Sequence, residues 1–267
     1  MKSLFLIFGL FAATGPLFAD ASLPPDGENW PAIRQGLFGE RVIRDNDEAR
    51  LSVSLPARAA DASTVPLAIR VHPLPGDAPL RKIYLVIDKN PSPVGAVFEF
   101  NNAARGVTLE TRVRIEDYTW VRVIVETTDD SLYGMRKYIK AAGGCSAPAG
   151  KSLAERMAGV GQMKWRVDAP DQAGRPAMAQ LLIRHPNNSG LAMDQLTRLY
   201  DPPYFVRNVT IWRGDAKIFT ALVDFTLSEN PAFRFSLPGS GEGDLRATVV
   251  DTDERVFESS TPFNARD

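Results

Sequence analysis

Between residues 50 and 140 apolar and polar positions alternate in short runs. The segments Arg50 to Leu55, Val65 to Val71, Lys82 to Ile87, Val94 to Phe100 and Val107 to Ile115 are rich in branched and aromatic residues, with Pro, Gly, Asn and Asp between them. A period of two bounded by turn residues predicts β-strands. Thr119 to Glu126 and Leu132 to Lys140 flank the polar Thr127-Thr128-Asp129-Asp130 and read as a hairpin. A different period precedes them. Trp30, Ile33, Leu37 and Phe38 recur at helical spacing, which predicts a short amphipathic helix packed on the first domain.

The alternation lapses from Ser146 to about Gln162, where Pro148 and glycines sit among small residues, and this stretch predicts a domain boundary with a flexible linker. Within it Ser152 and Glu155 have capping-box spacing, so Leu153 to Ala158 is expected to form a single helical turn stopped by Gly159. Strand-like runs resume at Lys164 to Val167, Ala177 to Arg184, Phe205 to Trp212, Lys217 to Phe225, Phe233 to Ser236, Leu245 to Asp251 and Arg255 to Ser260. Short strands at this spacing without long helical periodicity predict an all-β chain of two β-sandwich domains. The expected division is 1–21, a signal peptide; 28–145, the first sandwich; 146–162, the linker; and 163–267, the second sandwich.

The N-terminus adds a destination. Lys2 precedes an apolar run from Leu4 to Ala13, Gly15-Pro16 breaks any helix, and cleavage is expected after Ala19 or Ala21. The run falls short of the roughly 20 apolar residues of a spanning helix, so export to the periplasm without membrane insertion is expected. A net charge of -1, with no basic block or interleaved aromatic stripe, argues against nucleic-acid binding. An exported chain with one cysteine, Cys145, has no internal disulfide. That thiol is either an idle small hydrophobe or a reactive group.

Its flanks favour the second. Gly143 and Gly144 precede Cys145, and Ser146 and Ala147 follow it, a segment with almost no apolar area to bury. Gly143 and Gly144 are therefore expected to give a mobile, solvent-exposed arm. Five extended residues beyond Lys140 would carry the sulfur about 17 Å from the sheet. Catalysis by a Cys/His pair has little support, because His72 and His185 each precede a proline and read as strand-end turns. GGCSAPAGKS resembles a phosphate-binding loop, but five residues rather than four separate Gly144 from Gly150. No metal-ligand spacing appears, and no cofactor is expected. The patterns at Asn187-Asn188-Ser189 and Asn208-Val209-Thr210 match glycosylation acceptors at the level of chance.

Several runs carry a resemblance. LPARAADASTVPLAIRV at 55–71, KIYLVIDKNPSPVGAVFEF at 82–100 and TRVRIEDYTWVRVIVETTDDSLYGMRKYIKAAGGC at 111–145 resemble SoxY, the thiosulfate-oxidation carrier. MAQLLIRHPNNSGL at 178–191, YFVRNVTIWRGDAKIFTALVDFTLSENPAFRFSL at 204–237 and DLRATVVDTDERVFESS at 244–260 resemble SoxZ, its partner subunit. The resemblance implies two immunoglobulin-like sandwiches paired within one chain. It also implies that Cys145 is the covalent attachment point for a sulfur-containing substrate, with Gly143 and Gly144 as the flexible part of the arm. SoxY arms usually end the chain, whereas Ser146, Ala147 and Pro148 here lead into a second domain and tie the arm at both ends. The GGCSAP arm joined to a SoxZ-like half also resembles SoxYZ-like carriers associated with quinoprotein alcohol dehydrogenases. The resemblance thus implies a periplasmic carrier without turnover of its own, serving sulfur-oxidation enzymes or a quinoprotein dehydrogenase and cytochrome c. The alternatives are an adaptor for such a dehydrogenase, with the thiol used only to dimerise, and, more weakly, a sulfur transferase.

Overall fold

The computed structural model describes residues 24–72, 76–101, 104–147, 152–168, 176–193, 198–237 and 243–263. The expected signal peptide lies outside the described residues. The first half runs α1 (Trp30–Phe38), β1 (Ile43–Asp45), β2 (Leu51–Ser54), β3 (Val65–Val71), β4 (Leu80–Ile87), β5 (Val94–Phe100), β6 (Val107–Val113), β7 (Thr119–Thr127) and β8 (Leu132–Ile139). The second runs α2 (Leu153–Met157), β9 (Met163–Asp168), β10 (Met178–Ile183), β11 (Val206–Arg213), β12 (Ala216–Val223), β13 (Ala232–Ser236), β14 (Leu245–Asp251) and β15 (Val256–Thr261). Among the described residues no helix is long and apolar enough to cross a membrane.

The strands form two sheets, ordered β1-β8-β7-β4-β5-β12-β11-β14-β15 and β2-β3-β6-β13-β10-β9. Each half contributes strands to both, as a sandwich requires, and the halves meet edge to edge. β5 pairs antiparallel with β12 from Phe100↔Phe219 to Ala96↔Val223, and β6 pairs with β13 at Leu109↔Phe235. Covering these two edges satisfies backbone groups that a separate sandwich would leave open. The inward positions of the strands merge into one hydrophobic core. Its centre is aromatic: Phe98 of the first half meets Phe219 at 6.0 Å and Phe233 at 6.3 Å in edge-on contacts, and Phe219 meets Phe235 at 5.2 Å. Such contacts each add about 1 kcal/mol to the burial of the rings.

α1 begins with Pro31 in its first turn, where the missing N–H costs nothing. It lays Phe38 against Val86, Ile124 and Leu132, as its periodicity predicts. β7 is buried along its whole length, including the charged Arg122. Arg122 is neutralised by both carboxylate oxygens of Asp88 and by Asp26, and it stacks 4.2 Å from the Trp30 ring. α2 has the predicted capping box, with Ser152 Oγ accepting from the Glu155 N–H and the Glu155 carboxylate accepting from the Ser152 N–H.

Candidate functional site

After β8 the chain passes between the loop at 57–62 and the end of β6. The Lys140 N–H donates to the Ala57 carbonyl, the Gly143 N–H to that of Glu116 and the Gly144 N–H to that of Ile115. The Glu116 carboxylate then closes over the next turn. Its Oε2 accepts the N–H groups of Cys145 at 2.8 Å and Ser146 at 3.2 Å, and its Oε1 accepts the Ser146 hydroxyl at 2.8 Å. Glu116 is itself placed by Asn90, whose Oδ1 accepts the Glu116 N–H at 2.9 Å while its Nδ2 donates to the Arg114 carbonyl at 2.8 Å. From the other side the Ser189 hydroxyl donates to the Cys145 carbonyl at 2.5 Å.

The expected exposure of the arm is therefore corrected: Cys145 is 2 % exposed, and hydrogen bonds from both sides hold its segment in this position. Both glycines also have steric roles in this position. A Cβ on Gly144 would collide with the Ala62 carbonyl oxygen and lie 2.7 Å from that of Ile115. Gly144 thus allows a close backbone approach that no other residue would. Gly143 takes φ +77°, a left-handed turn that folds the chain back instead of extending it from the sheet.

Cys145 belongs to neither hydrophobic cluster. It lines an open cleft of about 290 Å³ together with Asp61, Arg114, Arg156, Ser189 and Glu229. The cleft sits on the seam of the two halves. Arg114, just beyond β6, donates from Nη1 to the carbonyls of Asn187, Phe225 and Leu227 at 2.7–2.8 Å, all from the second half. Arg156, on α2, donates to Asn188 and Asp201. Among the described residues no histidine lines the cleft.

The sequence from 34 to 145 matches the family model described as sulfur oxidation protein SoxY, and 163–262 matches that described as sulphur oxidation protein SoxZ. The chain belongs to these families as a fused SoxYZ-like protein. A search of curated proteins returns no match. The SoxY match ends on Cys145, so the thiol closes one domain while the cleft around it is completed by the other.

Burial in this cleft sets the state of the sulfur. Desolvation, with the Glu116 carboxylate adding to it, pushes the Cys145 thiol up to about 12, and Arg114 offsets only part of the rise. At neutral pH the docked sulfur is a protonated thiol and a poor nucleophile. The SoxZ half contributes Arg156, Asn188 and Ser189 to the walls, and Asn187 and His185 lie behind them. Asn187 is fully buried: its Oδ1 accepts the Val206 N–H at 2.9 Å and its Nδ2 donates to the Leu227 carbonyl at 2.8 Å. His185 is fully buried beside this loop, its Nδ1 accepting the Asn187 N–H at 3.0 Å, and burial lowers its pKa to about 4. His72 follows β3 directly and is exposed, 3.2 Å from the Ser52 hydroxyl.

Proposed function

We propose that this protein is a periplasmic carrier that holds a sulfur-containing intermediate on Cys145 and presents it to partner enzymes. What supports the reading is the placement of the chain's one thiol: it closes the SoxY domain, on a glycine turn, at the wall of an open polar cleft on the seam with SoxZ. The docked arm is a resting state. Its release requires breaking the Gly143 and Gly144 N–H bonds to the Glu116 and Ile115 carbonyls, the Glu116 carboxylate bonds to Cys145 and Ser146 and the Ser189 bond to Cys145, all of which water replaces on the free arm. Exchanging protein for water partners costs on the order of 1 kcal/mol per bond, so docking and release are both accessible.

Released into solvent, the thiol returns to its ordinary acidity and becomes a competent nucleophile. Joining it to a second thiol-level sulfur removes two electrons and two protons, which must go to an electron acceptor, whereas exchange with an existing S–S bond displaces a thiolate and needs none. A cytochrome c, alone or behind a quinoprotein dehydrogenase, supplies that chemistry in the periplasm. Unloading by hydrolysis or thiol exchange belongs to the partner enzymes, and the carrier itself has no turnover. Cys145→Ser removes the sulfur and keeps the small polar side chain. Expressed in a deletion strain, this variant should leave sulfur-dependent or dehydrogenase-linked oxidation at the level of the empty strain.

The deep burial of Cys145 favours a second reading, in which the chain is an adaptor for a dehydrogenase and its cytochrome and the thiol is not used for cargo. Full restoration by Cys145→Ser selects that reading over the carrier.

A further inference from the structure

One side of the Cys145 turn is fastened by a segment that rests on a buried histidine. The Ser189 hydroxyl, which accepts the Leu191 N–H at 3.1 Å, donates to the Cys145 carbonyl at 2.5 Å. Two residues earlier the Asn187 N–H donates to His185 Nδ1 at 3.0 Å. A ring nitrogen that accepts a hydrogen bond carries no proton, so this contact fixes a neutral imidazole with its proton on Nε2. Nε2 is buried and has no hydrogen-bond partner among the described residues; it faces Asp251 Oδ2 at 3.7 Å. That oxygen is already taken by the Tyr204 hydroxyl at 2.6 Å and Arg255 Nε at 3.1 Å. The Tyr204 ring lies 4.3 Å from the imidazole, and Asp253 and Arg255 are the other charged groups acting on it. From the loop at 224–230, Asn230 Oδ1 accepts the His185 backbone N–H at 3.2 Å, while the carboxylates Asp224 and Glu229 act on Arg114.

We propose that His185, Asn187 and Ser189 form a latch on the Cys145 arm, closed while His185 is neutral and opened when the ring takes up a proton. The proton goes to Nδ1, the nitrogen without one. Nδ1–H then confronts the Asn187 N–H, and two donors 3.0 Å apart repel. The cationic ring is at the same time drawn through Nε2–H toward Asp251, away from Asn187. The movement reaches Ser189 through its neighbour. The Asn188 N–H donates to the Tyr204 carbonyl at 2.7 Å and the Tyr204 N–H to the Asn188 carbonyl at 3.1 Å, so Asn188 moves with the ring stacked on His185. Burial lowers the pKa of His185 to about 4 against the opposing pull of Asp251, which keeps the latch closed at pH 7 and opens it in acid. As regulation of the arm this rests on the carrier reading, since a carrier outside the cytoplasmic membrane meets the pH of its surroundings.

Access to the sulfur measures the latch on the full chain. The probe is 2,2′-dipyridyl disulfide, which stays reactive in acid because its pyridine nitrogen is protonated there. The Cys145 sulfur bonds to one reagent sulfur as the reagent S–S bond breaks, and pyridine-2-thiol leaves with the electron pair and the thiol proton. The readout is the rate in native protein divided by the rate in urea at the same pH. Both forms lose thiolate tenfold per pH unit below their pKa, so this ratio is flat unless the arm itself becomes more accessible. The wild-type ratio should be at least fivefold higher at pH 4 than at pH 7. His185→Gln, which takes up no proton, should rise less than twofold. Ser189→Ala, which removes the bond to the arm, should start about fivefold above wild type at pH 7, the effect of one lost hydrogen bond, and rise less than twofold in acid. A flat wild-type ratio overturns the proposal. So does a rise in either folded variant equal to that of the wild type, because acid would then be loosening the fold elsewhere. If His185→Gln does not fold, the wild type and Ser189→Ala decide. A flat ratio leaves the carrier reading standing, and full restoration of function in cells by Cys145→Ser removes the carrier while leaving the measured latch in place.

Discussion

At the residue scale the central fact is a thiol held in a buried, hydrogen-bonded turn. Docked, Cys145 is held up to about 12 by burial first and by Glu116 second. Compared with an ordinary cysteine, that leaves about a thousandfold less thiolate at pH 7.5, since each unit is a factor of ten. Alkylation by iodoacetamide should accordingly be at least a hundredfold slower in the native protein than in urea. Glu116→Gln, which removes both the charge and part of the clamp, should accelerate the native reaction at least tenfold. Equal rates in native and unfolded protein would show that the arm is free at rest. A second residue carries a pH dependence. The fold holds His185 neutral, with its pKa lowered to about 4 against an ordinary 6.5, and the groups facing it are Asp251, Tyr204, Asp253 and Arg255. A depressed value means that the associated stability is fully present above pH 6.5 and is lost as pH falls toward 4. The loss amounts to about 3 kcal/mol. Urea unfolding at pH 7 and pH 4.5 should show it, and His185→Gln should flatten it. A wild-type pH profile as flat as the variant's would contradict the assignment.

At the scale of elements, the strands are legible because they alternate with a period of two between turn residues. β3, β5 and β14 run between the residues at which that alternation begins and ends. β1 is not legible. It is three residues long, shows no buried alternation, and pairs with β8 only because Gly134 leaves space for Ile43 and Asp45. The arm is legible in composition but not in conformation, since a glycine pair is compatible with both a mobile tether and a tightly packed turn. Only the tertiary position of the Ala62 and Ile115 carbonyls decides between them. Gly144→Ala tests the packed alternative. The added methyl should displace the arm, lower stability by about 1–3 kcal/mol as overpacking does, and raise the iodoacetamide rate of Cys145. A variant with unchanged stability and reactivity would mean that the arm does not rest in this turn. The cleft walls are invisible in the sequence for a related reason: Arg114, Arg156, Asn188 and Ser189 come from segments far apart in the chain and meet only at the seam.

At the scale of the whole molecule, SoxY and SoxZ halves share two sheets and one core, a feature that alternation along the chain does not reveal. An inward Phe98 looks the same whether its partner strand is in its own half or in the other. With β5–β12 and β6–β13 paired and Phe98 packed on Phe219, the halves should unfold together. Chemical denaturation followed by tryptophan fluorescence and far-ultraviolet circular dichroism should give one coincident transition, whereas two separated transitions would contradict the shared core. Phe219→Ala should destabilise that single transition by about 3–5 kcal/mol. The same seam joins fold to function, because it builds from both domains the cleft in which the SoxY thiol rests. The most direct test of the carrier is the intact mass of the protein isolated without reductant from cells that are oxidising their sulfur or alcohol substrate. The account predicts a population bearing added mass from sulfur, with or without oxygen, that maps to Cys145 and is released by dithiothreitol. A uniformly free thiol under those conditions would contradict it.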